Sequence, residues 1–165
     1  MEALEEDSSS LLQVRVRPAT LNDRSAVVKI LRESFTGSYR YWAIRDMDET
    51  LVLVAEVNGR MAGVAEVYTT RVDGYGKVGV VYFLAVKKEY RGMGIGKRLV
   101  LEAEEFFRRE RCMYSAASTV ESNKASQGLF SSLGYSLFRE RDRVYWDLVE
   151  ALSAYEDDVI MVKKL

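Results

Sequence analysis

Apolar runs in the middle of the chain predict a β-meander. The segment LVLVAEV at 51–57 is followed by Asn58-Gly59 and then by RMAGVAEVYTT. Asn-Gly supplies the two positive-φ residues of a type I′ hairpin turn. A second glycine-rich turn, DGYGK, leads into the apolar run VGVVYFLAV at 78–86. We therefore predict three antiparallel strands between 51 and 86.

Apolar residues with helical spacing flank the meander on both sides. A stripe that includes Val27, Ile30 and Leu31 ends near Gly37, and a longer stripe runs over 95–109. The full predicted series is, in chain order, an edge strand at 13–17, a helix ending near 37, the meander, a helix at 95–109, a strand at 112–119, a helix at 123–133 closed by Gly134, and final strands at 135–145 and 159–164.

Three segments have no clear period. GSYRYWAIRDMDE at 37–49 is interpreted as a packed connection or as a binding loop, and WDLVEALSAYED at 146–157 as a short helix or a long loop. The first 12 residues are predicted to be a mobile tail. A chain of 165 residues that is 48% hydrophobic suits one core, so we expect residues 13–165 to form a single domain.

Composition narrows the classes of function. A formal net charge of −1 gives no overall field for nucleic acid or an anionic membrane, and neither is expected as a partner. Histidine is absent and Cys112 is the single cysteine, which excludes Ser-His and Cys-His catalytic pairs and cysteine-based zinc, and no metal is expected. The N-terminus does not look like a signal peptide, and no apolar run approaches the ~20 residues of a membrane helix. A cytoplasmic location is therefore expected.

Local charge is concentrated at KEYRGMGIGKR, residues 88–98, which holds three glycines and four cations. The order strand, glycine loop, helix, strand over 78–119 is a βαβ unit, so its two strands should be parallel. The loop then lies at a helix N-terminus, where unpaired N–H groups attract anions and glycines let a phosphate approach the backbone. The pattern predicts a cradle for a phosphate or pyrophosphate.

The spacing of this loop excludes two common phosphate-binding motifs. A P-loop needs glycine at Arg91 and serine or threonine at Arg98, and the dinucleotide fingerprint needs glycine at Lys97. What fits is Arg-x-x-Gly-x-Gly, formed by Arg91, Gly94 and Gly96 after an antiparallel meander.

On that motif, and on NKASQGLFSSLGY at 123–135, the chain resembles the GNAT superfamily of acyl-CoA-dependent N-acetyltransferases, from VRVRPATLND to VIMVKKL. The resemblance implies an α+β (mixed α/β) fold with a mostly antiparallel central sheet, whose parallel fourth and fifth strands splay apart and are flanked by helices. It also implies direct transfer of an acetyl group from acetyl-CoA (coenzyme A) to a primary amine.

The resemblance carries cofactor contacts onto particular positions. The Leu84 N–H would polarise the thioester carbonyl, and Asn123 would contact the cofactor, a role compatible with its alternative as a helix N-cap. The complete set of implied cofactor contacts is Leu84, Ala85, Val86, Arg91, Gly92, Met93, Gly94, Ile95, Gly96, Lys97, Asn123 and Phe130.

The usual acid and base of the family do not transfer. Phe130 stands where the family often has a tyrosine acid, and Ser118 where some N-terminal acetyltransferases have the base. Tyr82 and Glu66 are the first alternatives, with Ser118 or Glu121 acting through water as a third route. Tyr82 could equally pack in the sheet, and Glu66 could be an exposed strand residue.

The acceptor is the least specified part. Two aromatic groups could flank an acceptor pocket or simply pack: Tyr39, Tyr41 and Trp42, and Tyr145, Trp146 and Tyr155. The expected acceptor is a protein N-terminus or lysine, with a small-molecule amine as the alternative. Two rival functions stay open, a catalytically weak acyl-CoA-binding regulatory module and a nucleotide-binding protein. A monomer or a homodimer is expected.

Overall fold

A computed structural model of the protein describes residues 13–165, and the predicted tail at 1–12 lies outside them. The strands are β1 (Val14–Pro18), β2 (Leu51–Val57), β3 (Arg60–Val72), β4 (Gly76–Val86), β5 (Tyr114–Thr119), β6 (Ser136–Arg139) and β7 (Val159–Lys164). The α-helices are α1 (Arg24–Ser34), α2 (Gly37–Asp46), α3 (Ile95–Arg109), α4 (Lys124–Ser132) and α5 (Arg143–Leu148), and short 3₁₀ turns lie at Leu21–Asp23 and Lys88–Tyr90. Within 13–165 no helix is long and apolar enough to cross a membrane.

The strands form a mixed sheet in the order β1-β2-β3-β4-β5-β7-β6. β1 pairs antiparallel with β2, and β7 pairs antiparallel with both β5 and β6. β4 and β5 are parallel, from Val78↔Tyr114 to Val81↔Ala117, because the intervening α3 returns the chain to the same edge. The predicted fold class is confirmed, including the parallel fourth and fifth strands.

The hairpin between β2 and β3 has the predicted chemistry. Asn58 has φ of 51° and Gly59 has φ of 82°, so both central residues of the turn lie in the left-handed region. Gly134, with φ of 94°, closes α4 as predicted.

The described residues fall into two compact units, of which the first comprises 13–65 and 84–99. Gly63 on β3 fixes the start of α3 in this unit. A Cβ at Gly63 would lie 3.0 Å from the Leu99 side chain and 3.2 Å from that of Ile95. The absent side chain therefore allows the first turns of α3 to pack directly on the strand.

The second unit comprises 66–83 and 100–165. One of its clusters packs α5 on the sheet, with the buried residues Val78, Val80, Ala116, Tyr145, Leu148, Leu152, Ala154, Ile160 and Val162. Gly79 on β4 has no room for a side chain, since a Cβ there would lie 2.2 Å from the Phe107 ring. The prediction that 13–165 is a single acyltransferase domain stays a prediction.

A buried polar network also lies in the second unit. Glu104 on α3 accepts hydrogen bonds from the Tyr135 hydroxyl and from Lys163 on β7, each at 2.8 Å. The Tyr135 hydroxyl also lies 2.7 Å from Ser115 Oγ. Burial, the largest cause, raises the pKa of Tyr135 well above its usual value, so the phenol stays protonated.

Two predictions of secondary structure were wrong. Residues 37–46 form α2 rather than a connection or loop, and the pattern missed the helix because Ala43 is the buried residue of α2 and leaves no apolar stripe. The strand predicted over 135–145 ends at Arg139, and α5 begins at Arg143. In α5, Tyr145 and Leu148 are buried at helical spacing.

Candidate active site

The glycine loop joins the end of β4 to the start of α3. Gly92 has φ of 79° and Gly94 has φ of 80°, a left-handed conformation that favours glycine. A Cβ at either position would meet nothing within 4 Å, so open space lies over the loop. Arg91 holds the loop to the end of β4, since its Nε donates to the Val86 carbonyl at 3.2 Å.

The first turn of α3 has the features of an anion site. The Arg98 N–H donates to the Gly94 carbonyl at 3.1 Å, which closes the first turn. N–H groups nearer the helix start have no acceptor within the helix, and the helix dipole makes this end positive. No acidic residue occupies this first turn. The geometry therefore fits the diphosphate predicted from the sequence.

The segment that contains this loop is rich in cationic residues. The segment 87–98 carries Lys87, Lys88, Arg91, Lys97 and Arg98, and its single acidic residue is Glu89. The Glu89 carboxylate is 65% exposed and lies 4.0 Å from the Lys87 ammonium, a loose surface pair that neutralises little of this charge.

The parallel ladder between β4 and β5 stops before either strand ends. Its last pair is Val81↔Ala117, whereas β4 continues to Val86 and β5 to Thr119. Along the remainder of β4, burial alternates: Phe83 and Ala85 are buried, whereas Tyr82, Leu84 and Val86 are half-buried. The ladder with β5 therefore does not extend along the rest of β4.

Tyr82 and Ser118 are the first residues beyond the last pair. Each follows, at a spacing of two, a member of the Val80↔Ala116 pair, so both side chains lie on the same face of the sheet. Tyr82 packs edge-on against Tyr68, with ring centroids 5.5 Å apart. The pairing of β4 with β5 therefore ends just before Tyr82 and Ser118.

Glu66 lies on this same face, two residues before Tyr68 on β3. Its side chain is 0% exposed, so the alternative of an exposed strand residue is wrong. The role of Glu66 as the base stays a prediction.

Ser118 has a carboxylate partner that the sequence pattern did not reveal. Its Oγ donates to Asp157 Oδ2 at 2.6 Å. Asp157 lies just before β7, and its carbonyl accepts a hydrogen bond from the Tyr145 hydroxyl at 2.6 Å. The acidic run EDD at 156–158 was a signal for this contact, but the run alone does not say which carboxylate faces Ser118.

Glu121 is a weak candidate for the base. Its carboxylate lies 2.9 Å from Arg139 and 3.1 Å from Lys124. Hydrogen bonding to Arg139, and then to Lys124, lowers the pKa of Glu121 to about 2. The group therefore holds a proton poorly at neutral pH, and the route through Glu121 and water is disfavoured.

Asn123 and Phe130 both have structural roles on α4. Asn123 is exposed and its Oδ1 accepts the Ser126 N–H at 3.1 Å, so it is the N-cap of α4. Phe130 is 2% exposed and packs edge-on against Tyr135, with ring centroids 4.9 Å apart. Cofactor contacts by these two residues stay predictions.

The residues predicted to bind the acceptor differ in their exposure to solvent. On α2, Tyr41 and Trp42 are 60% and 43% exposed, and Tyr39 is half-buried. Trp146 is exposed, whereas Tyr145 is 5% exposed and belongs to the core, because its position on α5 faces the sheet. A surface cavity of about 360 Å³ adjoins α2 and is lined by Arg32, Gly37, Arg40, Tyr41, Ile44 and Arg45.

Known proteins are similar to this chain in both sequence and fold. The chain is 31% identical over 156 residues to an uncharacterized N-acetyltransferase of Methanocaldococcus jannaschii, a match that covers 90% of each chain. A solved PaiA N-acetyltransferase from Thermoplasma acidophilum in complex with coenzyme A has a TM-score of 0.68 at 18% identity, covering 93% of this chain and 99% of the other. A chain of the NatC complex bound to Gag peptide and CoA has a TM-score of 0.67 at 20% identity, with the same coverage of 93% and 99%.

The family model described as Acetyltransferase (GNAT) family matches residues 24–135, a range that includes the glycine loop, Tyr82 and Ser118. The chain therefore belongs to the GNAT acetyltransferase family.

Proposed function

We propose that this protein transfers an acetyl group from acetyl-CoA to a primary amine by direct attack, without a covalent enzyme intermediate. The observation that carries the proposal is the glycine loop. Two left-handed glycines face open space at the cationic start of α3, in a chain of the GNAT family. This arrangement suits a diphosphate, and acetyl-CoA would supply the activated acetyl thioester.

In the proposed reaction, backbone groups hold the cofactor. The segment Arg91 to Lys97 would hold the diphosphate, and Leu84, Ala85 and Val86 would bind the pantetheine arm as another strand would. The Leu84 N–H would donate to the thioester oxygen as negative charge develops there. One such donor contributes about 3 kcal/mol to lowering the barrier of acyl transfer.

Side chains would handle the proton. A primary amine is mostly an ammonium ion at neutral pH and must lose a proton before it attacks. Glu66, Tyr82 and Ser118 are the candidates for this step, since their positions share one face of the sheet and Tyr82 and Ser118 directly follow the last β4–β5 pair.

For the acceptor we propose a protein N-terminus or lysine. Tyr41 and Trp42 on α2 are exposed, and rigid aromatic side chains of this kind supply contact area to peptides. The solved NatC complex, a protein of similar fold, is bound to a peptide. A small-molecule amine is the alternative, and we further propose that residues 13–165 work as one cytoplasmic domain, monomeric or homodimeric.

The test is thiol release from acetyl-CoA with a panel of peptides, polyamines and amino acids, run beside Gly94→Glu. We expect release with at least one amine, and acetyl-CoA should raise the melting temperature of the wild-type protein. Gly94→Glu places a negative charge in the open space of the loop, so affinity for CoA should fall at least about 100-fold, which corresponds to about 2.8 kcal/mol.

Gly74→Glu is the matched control. Gly74 also has positive φ, at 81°, and a Cβ added there would also meet nothing within 4 Å, but it lies in the turn between β3 and β4. The control should bind CoA as the wild type does. Binding of CoA without any thiol release would favour the regulatory module, and a melting shift with ATP or NAD but none with CoA would overturn the proposal.

A further inference from the structure

At the end of β5, a serine is hydrogen-bonded to a carboxylate from the segment that precedes β7. Ser118 Oγ donates to Asp157 Oδ2 at 2.6 Å, although the two residues are 39 positions apart in the chain. Both are partly exposed, in contrast to Glu66, which is fully buried. An acceptor amine can therefore reach Ser118, and a proton taken up by Asp157 can leave to solvent.

Several contacts fix the segment that carries Asp157. The Tyr145 hydroxyl donates to the Asp157 carbonyl at 2.6 Å, and the Asp157 N–H donates to the Ala154 carbonyl at 3.1 Å. Next to it, Asp158 Oδ1 accepts the Glu121 N–H at 2.7 Å, and Val159 pairs with Thr119. These contacts fix the backbone that carries Asp157 beside the end of β5, so its carboxylate lies within reach of Ser118.

The position of Ser118 gives this pair a chemical role. Ser118 follows the last β4–β5 pair and shares a face with Tyr82, at the point where the two strands cease to bridge. A serine hydroxyl is a poor base by itself, but one that already donates to a carboxylate can accept a second proton as it passes its own on.

We infer that Ser118 takes the proton from the acceptor ammonium and that Asp157 is the positioning residue that drives this transfer; the inference rests on the proposed acetyl transfer. In the step, an N–H bond of the ammonium breaks as a new Oγ–H bond forms on Ser118. The former Oγ–H bond breaks as an O–H bond forms on Asp157 Oδ2. The products are a neutral amine, a serine hydroxyl and a neutral carboxylic acid, so atoms and charge balance.

Other charged or titratable groups surround Asp157. Glu156 and Asp158 flank it in the chain, Tyr145 faces it from α5, and the Glu121–Arg139 ion pair lies beside Asp158. Burial raises the pKa of Tyr145, so this phenol stays neutral over the range of the test. Arg139 donates to Glu121 at 2.9 Å. Its guanidinium is always protonated, so it cannot accept the proton in place of Asp157.

The experiment compares kcat/KM for thiol release across about pH 6 to 9 in wild type, Asp157→Asn and Ser118→Ala, with the best amine of the panel. Asparagine keeps an oxygen that can accept the Ser118 hydrogen bond but cannot take up a proton, so Asp157→Asn separates geometry from proton transfer. Binding of CoA and melting temperature are measured for every variant.

In the wild type, kcat/KM should be nearly constant with pH while the amine is protonated. In Asp157→Asn it should fall about 100-fold at neutral pH and rise about tenfold per pH unit, since only the unprotonated amine then reacts. Ser118→Ala should show the same profile, and the double variant should lose no more than either single variant, because the two residues act as one unit.

Two controls separate this role from a structural one. Asp158→Asn changes the neighbouring carboxylate and should keep the wild-type profile. Hydroxylamine is already unprotonated near neutral pH, so with hydroxylamine as acceptor Asp157→Asn should lose almost none of its activity.

The inference would be overturned if Asp157→Asn kept the wild-type pH profile, or if it lost as much activity with hydroxylamine as with the other amine. Thiol release by the wild type would still support the proposed function in that case. No thiol release by the wild type with any amine would overturn the proposed function and this inference together.

Discussion

The glycines of the loop at 91–96 and the glycines of the sheet use the missing side chain in opposite ways. At Gly63 and Gly79 the protein itself fills the space, with Leu99 and Ile95 in the first case and the Phe107 ring in the second. At Gly92 and Gly94 the space is open and the backbone is left-handed. Glycine in the sheet thus serves packing, whereas glycine in the loop leaves room for a ligand.

The largest effect that this comparison predicts is at Gly79. In Gly79→Ala the new methyl group would lie 2.2 Å from the Phe107 ring, so either β4 or α3 must shift. We expect the free energy of unfolding to fall by about 3 kcal/mol or more. Chemical denaturation measures this loss.

Gly128→Ala is the control for Gly79→Ala. Gly128 lies inside α4 with nothing within 4 Å of a Cβ and without positive φ. Alanine is the better helix former, so this change should raise stability by up to about 1 kcal/mol. Equal losses at the two positions would contradict the packing role of Gly79.

The loop glycines should show a smaller loss of stability, together with a loss of binding. In Gly92→Ala no atom is in the way, but φ of 79° strains the new residue, which costs about 1 kcal/mol of stability. Affinity for CoA, measured by calorimetry, should fall as well, because the methyl group enters the open space of the loop. Gly59→Ala, with φ of 82° in the β2–β3 turn, should cost similar stability and leave CoA binding unchanged.

A cation of the loop should have opposite effects on the free and the bound protein. Lys97 is exposed in the first turn of α3, where the helix dipole disfavours positive charge. Lys97→Ala should therefore raise the stability of the free protein by about 0.3 kcal/mol and weaken CoA binding about threefold, less so at high salt. Lys164→Ala, an exposed lysine on β7, should change neither quantity, and a loss of free stability in Lys97→Ala would refute the dipole argument.

The smallest expected effect on stability is at Glu121, whose carboxylate forms surface ion pairs with two side chains. Arg139, and then Lys124, lower the pKa of Glu121 from 4.5 to about 2. Because the folded-state pKa is the lower one, this contribution to stability is present above about pH 4.5 and is lost as the pH falls toward about 2. Glu121→Gln should therefore flatten the acid limb of a stability profile slightly, and an unchanged limb would show that solvent screening cancels the pair.

Local signals were sufficient to predict much of the fold. Asn58-Gly59 carries its turn type in two residues, α3 has a full apolar stripe, and Gly134 marks the end of α4. Each of these signals acts over a few residues, so no knowledge of the tertiary structure was required. The glycine loop was found for the same reason, because its motif lies in one continuous segment.

Features that depend on distant contacts were missed. The Ser118–Asp157 pair joins residues 39 positions apart, and the acidic run at 156–158 does not indicate which of its carboxylates meets Ser118. α2 was missed because Tyr41 and Trp42 remain exposed, so its sequence has no period. The burial of Glu66 depends on which parts of the protein cover β3. The alternating pattern of a strand does not indicate whether its polar face is covered.

The network around Glu104 has a consequence for an enzyme that modifies amines, since such an enzyme carries amines of its own. Lys163 is 22% exposed on its side chain, and its ammonium is held 2.8 Å from a buried carboxylate. Acetylation there would remove the nearer of two positive charges that face the buried Glu104 carboxylate, the other being Arg108 at 3.6 Å, so we expect Lys163 to be modified more slowly than an exposed lysine. The ion pair that joins β7 to α3 is thus expected to lower the reactivity of Lys163 as well as to stabilise the fold.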